Sequence, residues 1–320
     1  MRKFLTKTAL FFLFLATCIT LVGSCTLFFI APQYINGYNA SIIDKIEHLK
    51  NSPSPKIILV GNSNLAFGIN SELIEAEFDM PVVNLGLHGS LGNAFHESMA
   101  HDYINKGDIV IVCHSTYKDY GNLIDCELAW ITLENHFNLY HFVNHRDYVK
   151  MARAFVSYIY KATHLFISIQ GNQKTVSSYS RQSFNQYGDN VFPRKYDSEL
   201  TKKLTPNKPE INDCCINRLN RLNDYCKSKG ANLLIGGVPI LCHNKNEDVI
   251  FYKDFEKQLQ NQLKCEIISD FTDYLYDETL FFDTNLHLTN EGAEIRTKQL
   301  INDLKLYFDN NHKNTISPIQ

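Results

Sequence analysis

The fold of this chain is organised around Lys56-Ile57-Ile58-Leu59-Val60-Gly61-Asn62-Ser63-Asn64. The β-branched and aliphatic first half predicts a buried strand, and the glycine after it begins a turn into the helix-like Leu65-Ala66-Phe67. Ser63 is therefore expected at the carboxyl end of a strand, the edge where α/β sheets bind their ligands. A serine in that position is either a candidate nucleophile or the N-cap of the following helix, because Ser is a favoured capping residue.

A partner for such a serine lies far downstream, in Asp283-Thr284-Asn285-Leu286-His287-Leu288-Thr289. This segment offers a carboxylate and an imidazole within one short loop, ahead of a helix predicted from Gly292 to Phe308. A serine nucleophile needs both groups, since the imidazole takes its proton and the carboxylate orients the imidazole. We therefore predict Ser63, His287 and Asp283 as catalytic residues. The competing interpretation is a surface histidine beside a loop acid.

Strands and helices alternate along most of the remaining chain. Apolar runs predict further strands at 81–85, 108–113, 231–237 and 265–269, and helices at 94–105, 216–229 and 249–263. This alternation predicts a parallel sheet covered by helices on both faces. Residues 118–220 break the rhythm and are predicted to be a helical insertion, with helices at 128–137 and 146–166 and a long polar loop over 170–209.

These motifs, with Gly86-Leu87-His88-Gly89 between them, resemble the SGNH/GDSL hydrolase superfamily and more closely its membrane-anchored bacterial members. The resemblance covers residues 56–118 and 231–308. It implies a flavodoxin-like three-layer sandwich around a central parallel sheet, and a serine hydrolase that needs no cofactor. It also implies an oxyanion hole, to which the backbone N–H groups of Ser63 and Gly89 would contribute.

The chain departs from the family pattern in three places. Asn62 replaces the usual acid before the nucleophile, and Asp283 lies four residues before His287 where the family usually shows three. The third strand runs into His114-Ser115-Thr116-Tyr117, without the Asn that supplies the family's third oxyanion donor. Four other side chains are candidates for that donor: Asn64, His88, Asn93 and Ser115.

The N-terminus predicts a membrane anchor. No charged residue occurs from Ala9 to Ala31, a length sufficient for a transmembrane helix. Arg2, Lys3 and Lys7 precede this run and no Lys or Arg follows until Lys45, which predicts a cytoplasmic N-terminus and an extracytoplasmic catalytic domain. The alternatives are a cleaved signal peptide, or a lipoprotein whose cleavage box is Val22-Gly23-Ser24-Cys25.

Length and composition indicate one main domain. With 320 residues and 44% apolar content, the chain can bury one α/β core plus an insertion. We predict an anchor over 1–31, a membrane-proximal stalk over 32–55 with a helix at 41–49, a hydrolase domain over 56–310 with its insertion at 118–220, and a flexible tail over 311–320. The net charge is −3 and the basic residues are scattered, which argues against a nucleic-acid partner.

Neither the cysteines nor the histidines predict a metal site. Nine cysteines include seven outside the anchor, an odd number, and none forms a Cys-x-x-Cys pair. The spacing of His88, His96, His101 and His114 fits no helical metal pair with a carboxylate.

Two functions follow from this pattern. The first is a single-pass membrane esterase or acyltransferase acting on O-acyl groups, O-acetyl above all, of an envelope glycan. Its partners would be an acylated carbohydrate or another ester substrate, and polysaccharide assembly proteins. The second is a catalytically inactive scaffold that binds acylated glycan within a polysaccharide assembly complex.

Overall fold

A computed structural model describes residues 1–28, 32–168, 176–206 and 208–316. The strands in this part of the chain are β1 (Ile57–Gly61), β2 (Val82–Asn84), β3 (Ile109–Cys113), β4 (Asn232–Ile235), β5 (Ile240–Leu241), β6 (Glu266–Ile267) and β7 (Leu275–Tyr276). Five of them form a parallel sheet in the order β2-β1-β3-β4-β6, while β5 and β7 pair in a small parallel sheet of their own. The predicted α/β fold with a central parallel sheet is confirmed.

Strand β1 lies inside the main sheet because its residues are apolar on both faces. It pairs with β2 on one side and with β3 on the other, in a register that places Ile57 opposite Ile109 and Gly61 opposite Cys113. All five of its residues are buried. A strand covered on both faces can be apolar throughout, whereas a half-exposed strand alternates.

Helices cover both faces of the sheet. The helices of the described residues are α1 (Arg2–Phe28), α2 (Ile42–Asn51), α3 (Ser63–Ala66), α4 (Ser71–Phe78), α5 (Asn93–His101), α6 (Cys126–Thr132), α7 (Tyr148–Ser168), α8 (Ser198–Thr201), α9 (Asp213–Lys229), α10 (Lys245–Gln260) and α11 (Asn290–Ile316). On one face, Ile58 and Val60 of β1 belong to a core with residues of α2, α5, α9 and α10. On the other, Ile57 and Leu59 belong to a core with residues of α4 and α11. This division follows from the two-residue alternation of a strand.

Several helix ends differ from the predicted ones. The predicted helices 94–105 and 128–137 end earlier, at His101 and Thr132. Helix α11 continues past the predicted end at Phe308 to Ile316, so it enters the predicted flexible tail 311–320, whose last four residues lie outside the described part. Helix α9 ends as predicted, because Gly230 adopts the left-handed conformation, φ 73°, that closes many helices.

The segment predicted to be a stalk belongs instead to the packed domain. Within 32–55, the helix predicted at 41–49 is present as α2, and its Ile42, Ile46 and Leu49 are buried in the core beside the sheet. Their spacing of four and three residues is that of one helical face, which explains why this helix packs on the sheet. Lys45 on the same helix is also buried, and its Nζ donates to the carbonyl of Asn84, 2.9 Å away.

Helix α1 is the one helix of the described residues that is long and apolar enough to cross a membrane. Its side chains are exposed over most of its length. Near its end it packs against α7 of the insertion. All nine cysteines are free thiols, including the adjacent Cys214 and Cys215.

Candidate active site

Ser63 lies at the first position of α3, directly after β1. The N-cap of α3 is Asn62, whose Oδ1 accepts the backbone N–H of Asn64 at 2.9 Å. The interpretation of Ser63 as the N-cap is therefore wrong, because Asn62 caps this helix. The Ser63 hydroxyl is left to face His287, and the distance from Ser63 Oγ to His287 Nε2 is 2.8 Å.

His287 is held between Ser63 and Asp283. Its Nδ1 lies 2.8 Å from Asp283 Oδ1, so one ring nitrogen contacts the acid and the other contacts the serine. The ring stacks on Phe67, with 4.1 Å between centroids and 12° between planes. Thr284 Oγ1 accepts the backbone N–H of His287 at 3.1 Å, and this local turn accommodates the spacing of four residues between the acid and the imidazole.

Tyr179 completes this arrangement, and sequence reasoning missed it. Its hydroxyl donates to Asp283 Oδ2 at 2.5 Å and lies 3.3 Å from His287 Nδ1. Burial raises the pKa of Tyr179 further above its usual value, and so does the bond to Asp283, so the group is a neutral donor. Partial burial acts to raise the pKa of Asp283, but the bonds from His287 and Tyr179 outweigh it, and the pKa lies below the usual value.

The two predicted oxyanion donors lie at the same cleft. Ser63 and Gly89 both line it, and their backbone N–H groups have no hydrogen-bond acceptor among the residues that the structure describes. Gly89 begins a 3-10 turn, Gly89–Leu91, next to Asn62. Two unsatisfied N–H groups beside a nucleophile are the arrangement that stabilises a developing oxyanion.

The four candidates for the third donor divide into two groups. Asn64 is excluded from the cleft, because it is completely buried and its amide nitrogen donates to Asn62 Oδ1 and to the carbonyl of Cys113. Asn93 lines the cleft, but its amide nitrogen donates to the carbonyl of Thr116.

Ser115 and His88 line the cleft and keep a donor available. Ser115 Oγ accepts from Asn62 Nδ2 at 2.8 Å, and its own O–H has no acceptor among the described residues. His88 Nδ1 accepts the N–H of Ser90, which leaves the ring proton of a neutral imidazole on Nε2. Burial lowers the pKa of His88, and so does the nearby His287, which favours that neutral form.

The cleft has a volume of about 690 Å³ and is open to solvent along one side. Asn62, His88 and Ser115 are among the polar residues that line it with Ser63, and the side chains of Tyr120 and Ile124, which also line it, are exposed. A second cavity of about 620 Å³ adjoins it and shares Asn122 and Leu123. A cleft of this size accommodates a sugar unit bearing an acyl group.

The remaining histidines have other partners or lie away from the cleft. His114 Nε2 is 2.9 Å from Glu97 Oε1, and Arg218 donates to both oxygens of that carboxylate. His101 is exposed beside Asp102, and burial lowers the pKa of His96 to about 3. Within the described ranges, no group of three or more His, Cys, Asp or Glu side chains is placed to hold a metal ion.

No protein-family model, curated protein or solved structure matches this chain. The geometry defines a class of site, a Ser-His-Asp arrangement at the carboxyl ends of the strands of a parallel α/β sheet.

Proposed function

We propose that this chain is a serine esterase or O-acyltransferase of the SGNH type that acts on O-acyl groups, chiefly O-acetyl, of an envelope glycan. The observation that carries the proposal is the continuous line of contacts from Ser63 through His287 to Asp283, each 2.8 Å long. The strand order β2-β1-β3-β4-β6 supports an SGNH-like fold, because it is the order of flavodoxin-like sheets when the core strands are numbered in sequence.

The chemistry follows from the positions of these groups. His287 Nε2 takes the proton of Ser63 Oγ as that oxygen attacks the ester carbonyl, and Asp283 holds the ring with its proton on Nδ1. The N–H groups of Ser63 and Gly89 stabilise the oxyanion, together with the hydroxyl of Ser115 or the imidazole of His88. The protonated His287 then gives its proton to the leaving alcohol. Water resolves the acyl-enzyme in hydrolysis, and a sugar hydroxyl resolves it in transfer.

The glycan substrate is proposed from the resemblance to the SGNH/GDSL superfamily, and the membrane location is proposed from the N-terminal helix. Helix α1 has the length and composition of a membrane span. The basic residues Arg2, Lys3 and Lys7 before its apolar run favour a catalytic domain outside the cytoplasm. Acyl-CoA is absent there, so transfer would need a donor carried by the membrane or by a glycan, and deacylation is the simpler reaction.

A single substitution tests the nucleophile. The purified full chain should release acetate from p-nitrophenyl acetate, and Ser63→Ala should lower kcat by about 10⁴-fold or more, because the attacking oxygen is lost. Ser198→Ala is the matched control, since Ser198 is also the first residue of a helix but is exposed and outside the cleft. Activity retained in Ser63→Ala would contradict the assigned nucleophile.

The second candidate function is an inactive scaffold that binds acylated glycan. The observations that favour it are the absence of the Asn that the resemblance implies after the third strand, and the spacing of four residues between Asp283 and His287. A fluorophosphonate probe, which labels activated serines, separates the two functions. Labelling of the wild type that disappears in Ser63→Ala would support the enzyme. An unlabelled wild type with a folded circular-dichroism spectrum would support the scaffold.

A further inference from the structure

Helix α7 carries an apolar stripe that no part of the described chain covers. Val149, Val156, Tyr160 and Ile167 are 64%, 51%, 70% and 69% exposed. At about 100° per residue, these four side chains lie within about 40° of one another on the helix surface. Soluble proteins leave single apolar side chains exposed but rarely a continuous row of them, so this stripe indicates a contact surface.

The rest of α7 is arranged around that stripe in a definite order. Met151, Tyr158 and Ala162, on the opposite side, are buried. The next side holds Phe155 and Ile159, which lie so close to α1 that a Cβ on Gly23 would be 2.5 Å from the Phe155 ring. Going around the helix, the buried side is followed by the contact with α1 and then by the exposed stripe. The stripe and the apolar surface of α1 are therefore neighbours.

The far flank of the stripe is cationic. Helix α7 contains no Asp or Glu, and Lys150, Arg153 and Lys161 all lie beyond the stripe on the side away from α1. Lys150 is 3.4 Å from Asp147 and Lys161 contacts Glu127, whereas Arg153 makes no ion pair within the described ranges. An apolar stripe flanked by Lys and Arg is the pattern of a helix that lies at a membrane surface.

We propose that α7 lies in the headgroup layer of the membrane that α1 enters, with its stripe in the lipid and its cationic flank against anionic headgroups. Lipid is the expected partner of the stripe because the stripe lies next to the contact between α7 and α1. A helix that packs beside a membrane span and exposes an apolar row has the bilayer as its neighbour. This inference rests on the proposed function only in what it adds about the substrate.

That addition concerns how esters reach Ser63. Lys150, in the first turn of α7, lines the catalytic cleft, and so do Tyr120 and Ile124, which are 65% and 74% exposed. The mouth of the cleft is therefore adjacent to the end of α7 where the helix begins. With α7 at the membrane surface, the cleft opens at the lipid headgroups, and its substrate is an acyl ester carried by a membrane-bound amphiphile.

Quenching by brominated lipid tests the contact without reference to activity. The full chain is placed in nanodiscs of phosphatidylcholine and phosphatidylglycerol, with or without bromine on the acyl chains. The variants are Tyr160→Trp, Val156→Trp and the control Ile250→Trp, which is 71% exposed on α10. Wild-type emission from Trp130, the single tryptophan, is subtracted.

We expect bromine to lower the emission of an indole at position 156 or 160 about twofold or more, and to leave that at position 250 unchanged, because an interfacial helix buries its apolar face below the headgroups. Quenching by aqueous iodide at 160 equal to that at 250 would show a solvent face and overturn the inference. Protection from both quenchers would also overturn it, in favour of a protein partner or a second copy of the chain.

A second measurement tests the route to the cleft. Tyr160→Asp should lower the release of acetate from an acetylated long-chain alcohol embedded in the nanodisc severalfold and leave p-nitrophenyl acetate hydrolysis unchanged. Equal rates with Tyr160→Asp and wild type on both esters would overturn entry from the membrane. If the wild type hydrolyses neither ester, the proposed function fails, and the quenching result still decides where α7 lies.

Discussion

The amino ends and the carboxyl ends of the strands, called here the amino edge and the carboxyl edge of the central sheet, use polar groups in opposite ways. At the amino edge, Lys56 precedes β1 and Asp108 precedes β3, with 3.2 Å between Lys56 Nζ and Asp108 Oδ2, and both side chains are buried. Asp108 also accepts the backbone N–H groups of Lys56 and Asn105. Each charge is thus compensated within the protein, which makes this edge a structural one.

At the carboxyl edge, by contrast, several hydrogen-bond donors have no protein partner among the described residues. The N–H groups of Ser63 and Gly89 and the O–H of Ser115 have no acceptor among the described residues, and all three residues line the cleft. Because the cleft is open to solvent, these donors are available to a ligand. The comparison teaches that the polar groups at the amino edge already have protein partners, whereas those at the carboxyl edge are free to bind a ligand.

The largest expected effect is at the carboxyl edge. Asp283→Asn should lower kcat about 10⁴-fold, because an amide no longer holds His287 in the tautomer that accepts the Ser63 proton. The thermal unfolding midpoint at neutral pH should fall modestly, because the carboxylate that contacts both Tyr179 and His287 is lost. Asp277→Asn is the control, an exposed carboxylate that caps the turn just before the loop. A near-normal kcat in Asp283→Asn would assign the acid role to another residue.

The sequence predicted the fold where side chains carry a local signal. Strand β1 is predictable because Ile57-Ile58-Leu59-Val60 is a short run rich in β-branched residues that ends at a glycine, the pattern of a buried strand. The last main strand was predicted over 265–269 but covers only Glu266–Ile267. Beyond it, the Ser269 hydroxyl accepts the N–H of Gly237, a side-chain contact that replaces strand pairing. Such a replacement depends on tertiary neighbours that a single sequence does not show.

The amino edge should respond in stability instead of activity. Asp108→Asn removes one partner of a buried ion pair and leaves Lys56 uncompensated, which should cost about 3–5 kcal/mol in the free energy of unfolding. The control Asp224→Asn breaks the exposed pair with Lys264 and should cost less than about 1 kcal/mol. Urea denaturation measures both. The kcat per folded molecule should stay at the wild-type value, and a loss of kcat in Asp108→Asn would remove the distinction between the edges.

The candidate site was predictable only in part. Ser63, Asp283 and His287 lie in short motifs with a recognisable context. Tyr179 lies 104 residues before Asp283 in sequence, in a polar segment of the insertion that has no periodicity. Its contact exists because residues of this segment fold back on the sheet, where Asp189 accepts from the side-chain amide of Asn84, in β2, at 2.8 Å.

The smallest effect should come from Tyr179, which positions the acid without touching the reacting atoms. Tyr179→Phe keeps the ring beside Phe67 but removes the bond to Asp283, so kcat should fall about tenfold with KM little changed, the loss of one hydrogen bond to a charged group. Tyr196→Phe, whose hydroxyl contacts the exposed Glu278, is the matched control. An unchanged kcat would show that Asp283 needs no second support.

The pH dependence of stability tests the hydrogen bond from Tyr179 to Asp283 independently of activity. A carboxyl whose pKa is lowered by folding stabilises the fold above its unfolded pKa, about 4, and this contribution is lost as the pH falls through the folded pKa. Because the Tyr179 hydroxyl helps to lower the pKa of Asp283, Tyr179→Phe should be less stable than wild type at neutral pH, and the difference should shrink as the pH falls below about 4. A difference that stays constant across this range would mean that Tyr179 acts through packing alone, and that the ionised Asp283 owes its orientation to His287.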